Sequence, residues 1–255
     1  MSDLRSTERF SDRVADYVRY RPDYPVALVD WLRREHGVDA SWDVADVGAG
    51  TGISAKLLLD AGHRVTAVEP NAAMRAAAEQ WLGKNPNFRA VDGRADATGL
   101  PDASVALIVV AQAFHWFDEV TTRREFARIL RPGGLAAIVW NTRHLGGTPF
   151  LEIYEALLQR YGTDYTSVAE RYADEPRMRA WFGAGFRGAA RFDHGQRLDF
   201  DALKGRLMSS SYAPPPGHPQ HAPMLDALRL LFDATAVDGR IDFTYDTRAY
   251  VGTLS

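Results

Sequence analysis

No cysteine occurs in the 255 residues, and the only lysines are Lys56, Lys84 and Lys204. The first absence excludes disulfides, thiolate zinc sites, iron–sulfur clusters and a cysteine nucleophile. The second argues against a lysine Schiff base. Long apolar runs are missing too. The longest, Val105 to Ala111, falls far short of the roughly 20 residues a membrane helix needs. Asp3, Arg5, Glu8 and Arg9 interrupt any early apolar region, so no signal peptide is expected. An excess of positive charge is also lacking, the net charge being −3. Duplex nucleic acid therefore finds no electrostatic footprint. What is present is 46% hydrophobic residues, enough for a sizeable core. These features predict a cytoplasmic protein, a monomer or homodimer, with no metal, no membrane and no nucleic acid among its partners.

From Asp43 to Asn141 short β-rich runs alternate with helical stretches. Strands are expected at Asp43–Val47, Arg64–Glu69, Asn87–Val91, Val105–Ala111 and Leu135–Trp140. Helices are expected at Ile53–Ala61, Asn71–Leu82 and Glu119–Leu130, the last capped by Asp118 and stopped by Arg131-Pro132-Gly133-Gly134. Such alternation with continuous apolar strands means a parallel sheet covered on both faces. The flanks differ. Two helices are expected around the Pro22 and Pro25 turn. Beyond the alternating region, helices are expected at Pro149–Tyr161, Glu175–Phe182, Phe200–Ser209 and Pro223–Ala234. Strand-like runs lie at Arg187–Leu198 and Arg240–Tyr250, and Ser209–Pro223 reads as a long loop.

Asp46-Val47-Gly48-Ala49-Gly50-Thr51-Gly52 ends the first strand. Glycines there let the backbone turn tightly and approach a ligand ahead of a helix N-terminus. Glu69, ending the next strand, is placed to accept from a ribose diol. The bland alternative is a tight turn with a helix-capping acid. Ile53 stands where the dinucleotide fingerprint needs its third glycine, and no phosphate-binding Gly-Lys-Ser/Thr follows. A ligand with ribose but no pyrophosphate fits this pattern better than NAD.

The segments Phe10–Pro25, Asp46–Gly52, Val68–Met74, Ala95–Asp102, Ala111–Asp118 and Leu130–Asn141 together resemble the class I S-adenosylmethionine-dependent methyltransferases. The similarity is to the small-molecule branch related to ubiquinone/menaquinone and trans-aconitate methyltransferases. It implies an α/β Rossmann-like fold: a mostly parallel seven-stranded sheet, helices on both faces, and helical cap elements. Residues 1–37 would form an N-terminal cap, 38–147 the cofactor-binding core, and 148–255 the acceptor-side helices with the last two strands, in one compact domain. Two departures from the family pattern are Val105-Ala106, in place of a frequent Phe-Asp, and Ala49, in place of a frequent Cys.

The resemblance also implies roles. Gly48, Ala49, Gly50 and Gly52 would lie under the methionine portion of S-adenosyl-L-methionine, with Asp46 ordering the turn. Glu69 would hold the ribose hydroxyls, and Pro70 beside it would be among the cofactor-binding residues. Met74 would pack on the adenine, unless it is ordinary helix core. Asp96 would accept from the adenine amino group, flanked by Ala95 and Ala97. Gln112 and Ala113 would approach the methionine portion. Read from the residues themselves, Tyr17, Tyr20, Arg21 and Tyr24 either cap the cofactor, with Arg21 on its carboxylate, or are helix packing and a Pro-directed turn.

For the acceptor, His115 is either a general base or a bracing residue. Phe114 and Trp116 line an aromatic pocket or pack in the core. Trp140, Asn141, Arg143 and His144 leave the fifth strand on the same edge; Arg143 is either a clamp for an acidic acceptor or a solvated loop charge. Ser210, Ser211 and Tyr212 would join a substrate loop. His218 and His221 lack a convincing third metal ligand. O-methylation of a carboxylate or hydroxyl on a small molecule is the expected reaction. A non-catalytic cofactor-binding protein and a nucleic-acid methyltransferase are the alternatives. Gln112-Ala113-Phe114-His115 stands where the latter often carries (Asp/Asn/Ser)-Pro-Pro-(Tyr/Phe).

Overall fold

The computed structural model describes residues 20–165 and 174–254. Tyr17 and the first expected helix lie outside the described residues. Seven strands form one sheet in the order β3-β2-β1-β4-β5-β7-β6. They are β1 (Asp43–Val47), β2 (Arg64–Val68), β3 (Phe88–Val91), β4 (Val105–Ala111), β5 (Leu130–Arg143), β6 (Phe186–Leu198) and β7 (Ile241–Gly252). The first five pair in parallel, whereas β7 runs antiparallel to both β5 and β6.

Alternation along β4 shows why the sheet needs two helical layers. Leu107, Val109 and Ala111 enter one core, with α1 (Val26–His36), α2 (Ile53–Asp60) and α3 (Ala72–Leu82). Ile108 and Val110 enter the other, with α4 (Glu119–Ile129) and α6 (Glu175–Phe182). Every β4 residue is therefore buried, as a central parallel strand requires. Asp118 caps α4 by accepting from the Thr121 N–H at 2.9 Å, and Asn71 caps α3 by accepting from the Met74 N–H at 3.1 Å.

One expectation needs correcting. The Arg131–Gly134 segment stops α4, but it does not precede the strand: β5 begins at Leu130 and runs through it. Its pairing with β4 jumps from Val105–Leu130 to Leu107–Leu135, so the extra residues form a bulge at the amino edge. Gly134 suits that bulge, because a Cβ there would lie 3.0 Å from the Ala106 carbonyl oxygen.

The long antiparallel strands build the third core. Arg143 pairs with Tyr245, and beyond it β7 pairs only with β6, down to Ile241–Leu198. These projecting ends carry Ile241, Phe243 and Tyr245 into a cluster with α5 (Pro149–Tyr161), α7 (Phe200–Met208) and α8 (His221–Thr235). The result is a helical lobe on the carboxyl edge of the parallel strands.

Candidate functional site

The site is built on the turn after β1. Gly48, Gly50 and Gly52 all take positive φ, at 71°, 56° and 87°. Space is as restrictive as conformation: a Cβ on Gly48 would lie 2.6 Å from the Ala113 Cβ, and one on Gly52 would lie 2.7 Å from Leu82. Sequence order and strand order reverse between β1 and β4, so Gly48 and Ala113 meet at the topological switch point, where open α/β sheets bind ligands.

Asp46 supports this turn from below. It is fully buried, and its Oδ2 accepts from the Ser54 hydroxyl at 2.7 Å, tying β1 to α2. Its Oδ1 has no hydrogen-bond partner among the described residues. Burial, reinforced by the nearby Glu69 charge, raises the Asp46 pKa to about 7. Gly52 caps α2 without any side-chain acceptor, so the positive end of that helix remains directed at the turn.

Glu69 closes the turn from β2. Its Oε2 accepts from the Gly50 N–H at 2.9 Å and its Oε1 from the Asn71 N–H at 2.8 Å. Burial raises its pKa despite these bonds. Arg75 donates to the Glu69 and Pro70 carbonyl oxygens at 2.7 and 2.8 Å, which holds the backbone of that strand end. Met74 is buried beside the turn, 3.7 Å from where a Gly50 Cβ would stand. Helix core and turn lining are thus compatible roles for it.

The remaining expected cofactor residues lie on neighbouring connections. Ala95, Asp96 and Ala97 form a tight turn in which Asp96 pairs with Arg94 at 3.1 Å. Thr98 anchors that turn, its N–H and hydroxyl both donating to Glu125, at 2.8 and 2.5 Å. Arg128 beside Glu125 draws the carboxyl down to about 2. Gln112 adopts φ 61° immediately after β4 and gives its side-chain amide to the Asn141 carbonyl oxygen at 2.8 Å. Asn141 in turn accepts from the Thr247 hydroxyl at 2.6 Å and donates to the Asp23 carbonyl oxygen at 2.8 Å. That last bond ties the Arg21–Tyr24 segment to the site edge. Tyr20 packs against Gly205, whose hypothetical Cβ would meet the ring at 2.1 Å, and Arg21 donates to the Ser209 carbonyl oxygen at 2.8 Å.

The aromatic residues after β4 divide. Phe114 is core, edge-on to Trp140 and Trp181. His115 and Trp116 are half-buried, with ring centroids 4.8 Å apart. Of the substrate-side group, His144 bonds Thr244 and Tyr212 stacks edge-on against Tyr165. His218 and His221 bond to backbone within or beside their own loop.

Arg143 is not a solvated loop charge. Its side chain is 10% exposed and pairs with Glu155, while the Tyr165 hydroxyl accepts at 2.9 Å. The sequence reading missed Arg206, a charge on the apolar stripe of α7. Its signal was available: an arginine set among Leu203, Gly205 and Leu207, all buried.

A family model described as a methyltransferase domain matches residues 45–138. An uncharacterized methyltransferase-like protein of Schizosaccharomyces pombe is 33% identical over 176 residues, 68% of this chain and 67% of that one. An uncharacterized methyltransferase of Mycobacterium tuberculosis is 41% identical over 134 residues, 52% of each chain, so the match spans about half of that relative. The solved structure of a candidate type II methyltransferase from Anaeromyxobacter dehalogenans is similar with a TM-score of 0.71 at 26% identity, covering 92% of this chain and 98% of that one. The domain match falls on the strands that build the glycine turn, and the fungal match extends over two thirds of both chains. This chain therefore belongs to the class I S-adenosylmethionine-dependent methyltransferases, with S-adenosyl-L-methionine as its cofactor.

Proposed function

We propose that the protein methylates an oxygen, carboxylate or hydroxyl, of a small-molecule acceptor enclosed between the carboxyl edge of the sheet and the helical lobe. The observation that carries this reading is the lobe itself. The projecting ends of β6 and β7 and helices α5, α7 and α8 form a lobe beyond the carboxyl end of β5, and Tyr20 and Arg21, next to the site edge, contact it at Gly205 and Ser209. An acceptor held between the lobe and the sheet edge would be shielded from water, which suits a compact molecule.

The residues present fit the cofactor. The turn leaves room beside Gly50, where the nearest atom to a Cβ would be Met74 Sδ at 3.7 Å, the Glu69 carboxylate retains lone pairs beyond its two backbone bonds, and the Asp46 Oδ1 has no partner among the described residues. Bound there, the cofactor supplies an electrophilic methyl group on a sulfonium, open to in-line displacement. Gly48, Ala49, Gly50 and Gly52 bring backbone close to the methionine portion. Glu69, with Pro70 beside it, accepts from the ribose hydroxyls. Met74, Ala95, Asp96 and Ala97 bound the adenine, with Asp96 accepting from its amino group. Tyr20, Arg21, Gln112 and Ala113 complete the enclosure of the methionine end.

The protein's catalytic task is then positioning. An acceptor oxygen must lie behind the methyl carbon with a lone pair aligned on it, and fixing that geometry supplies much of the acceleration. A carboxylate needs no base. A hydroxyl must lose a proton, and His115 is the titratable ring nearest the end of β4. Trp116, Asn141, Arg143, His144 and Tyr212 shape the acceptor side, with Arg143 acting through its bonds to Glu155 and Tyr165.

The test is ligand-linked stability followed by turnover. S-adenosylhomocysteine binds the native state and should raise the melting temperature, by mass action, where NAD does not. Tritiated methyl transfer should then appear with small carboxylic acids or phenols and not with oligonucleotides. A shift with NAD alone, or transfer to oligonucleotides alone, overturns the proposal.

A further inference from the structure

A second cluster, outside the glycine turn, lies in the lobe where β7 pairs with the carboxyl end of β5. Arg206 sits on α7 and is only 7% exposed. Its Nε donates to the Tyr245 hydroxyl at 3.0 Å and its Nη1 to the Ser210 hydroxyl at 3.1 Å. The Phe243 and Tyr245 rings lie 5.6 and 5.8 Å from the guanidinium carbon. The Tyr245 hydroxyl commits its own proton to Gln196 Oε1 at 2.9 Å, so it faces Arg206 as an oriented acceptor.

All these partners are neutral. Among the described residues no carboxylate stands within ion-pair distance of Arg206, whereas Arg143, equally withdrawn from water, has Glu155. Removing a guanidinium from water is costly unless an opposite charge accompanies it. Arginine has no escape by deprotonation, since it stays charged at any physiological pH. Hydroxyls satisfy two of its donors, but they leave the charge itself uncompensated.

The location is the acceptor side. Tyr245 pairs with Arg143 at the end of β5, two residues beyond Asn141, whose carbonyl oxygen takes the Gln112 amide. Ser210 follows Ser209, the residue held by Arg21. The Arg206 guanidinium therefore lies where the lobe closes on the sheet edge.

We propose that Arg206 is the anchor for an anionic acceptor: the acceptor carries a carboxylate that pairs with its guanidinium while another oxygen of the same molecule faces the methyl group. The inference rests on the methyltransferase reading above. A carboxylate matches best, because the planar guanidinium fork accommodates it in bidentate fashion. A phosphate monoester brings a further charge that one guanidinium fork leaves unbalanced.

The test uses the full chain, Arg206→Gln and Arg206→Lys. Calorimetry with S-adenosylhomocysteine comes first, and the expected affinity is the same in all three proteins. Methyl transfer is then measured across small hydroxycarboxylic acids, each with its neutral methyl ester, which keeps the hydroxyl acceptor, across dicarboxylic acids against their monomethyl esters, which keep one carboxylate as acceptor, and across matched phosphate monoesters. Wild type should favour acid over ester by roughly 30-fold or more in kcat/KM, chiefly through KM, as expected when a buried charge pair loses one partner. In Arg206→Gln that preference should fall towards unity; Arg206→Lys, which keeps the charge and loses the fork, should fall between. Should Arg206→Gln fail to fold, the Arg206→Lys acid-to-ester ratio carries the decision, and a wild-type ratio overturns the proposal. Retained preference in Arg206→Gln, preferred neutral or phosphate acceptors, or no acid bound or methylated by the cofactor-bound protein each overturn it. So does a loss of S-adenosylhomocysteine affinity in Arg206→Gln, which would place the charge on the cofactor. If wild type binds no S-adenosylhomocysteine, it is the methyltransferase reading that fails. The acids titrated into free wild type and Arg206→Gln then decide the anion site separately.

Discussion

The backbone N–H of Gly50 donates to the Glu69 carboxylate at 2.9 Å, so the turn after β1 is fastened to the end of β2 before any ligand arrives. The same carboxylate accepts from Asn71, which itself caps α3. One side chain therefore sets the distance between the glycine turn and the end of β2 and fixes where the next helix begins.

Glu69→Ala should weaken S-adenosylhomocysteine by about tenfold or more, since each lost hydrogen bond to a charged acceptor is worth roughly 1.5–3 kcal/mol. It should also lower the melting temperature, because the Gly50 and Asn71 amides lose their acceptor. Glu69→Gln keeps one acceptor oxygen and should fall between. Unchanged affinity of Glu69→Ala by calorimetry would remove the ribose from this strand end.

Gly48 is constrained twice, by φ of 71° and by the Ala113 Cβ 2.6 Å from its own hypothetical Cβ. Gly48→Ala should be destabilising, about 1–2 kcal/mol from the left-handed backbone alone, with the contact adding to it. Pairing it with Ala113→Gly removes the contact and leaves the backbone strain. A chemical-denaturation cycle should therefore show partial rescue; strictly additive losses would mean the two positions do not touch.

Asp46 predicts a pH dependence of stability. Its folded pKa, about 7, lies above its ordinary value of 3.8. Between those values the native state binds more protons than the unfolded state, so this group's contribution to stability falls as pH rises from about 4 to 7. The raised Glu69 pKa acts in the same direction. Asp46→Asn should flatten the fall in melting temperature across that window. An equally steep profile in the variant would show that Asp46 titrates normally.

His115 separates two kinds of acceptor. If a hydroxyl is methylated with His115 as base, His115→Gln should cost about 10²–10⁴-fold in kcat, and the wild-type rate should rise with pH through a histidine titration. If a carboxylate is methylated, no proton leaves, and neither protein should titrate near neutrality. The bracing role is the expected one. A pH–rate profile of both proteins with a phenolic acceptor decides between them.

Much of this was legible in the chain. Val105–Ala111 announced a central strand by its unbroken apolar run, and Asp118 and Asn71 announced helix starts by local chemistry that works within three residues. Asp46, the three glycines and Glu69 were legible because a tight turn and a strand-end acid follow from neighbouring residues. The start of β5 was not. Arg131-Pro132-Gly133-Gly134 has the composition of a turn, and only its pairing beside β4 makes it a bulged strand.

Charge compensation was decided by the tertiary structure. Arg143 and Arg206 look alike in sequence, each one arginine among apolar and polar neighbours. Among the described residues, folding brings Glu155 to the first, and hydroxyls and aromatic rings but no carboxylate to the second, 39 residues away at Tyr245 and 4 at Ser210. Local composition determined the strand–helix alternation and the glycine turn, because the forces that set them act within a turn or a strand. Which buried charge stays uncompensated depends on groups brought together from α5, α7 and β7, and only the packed lobe settles it.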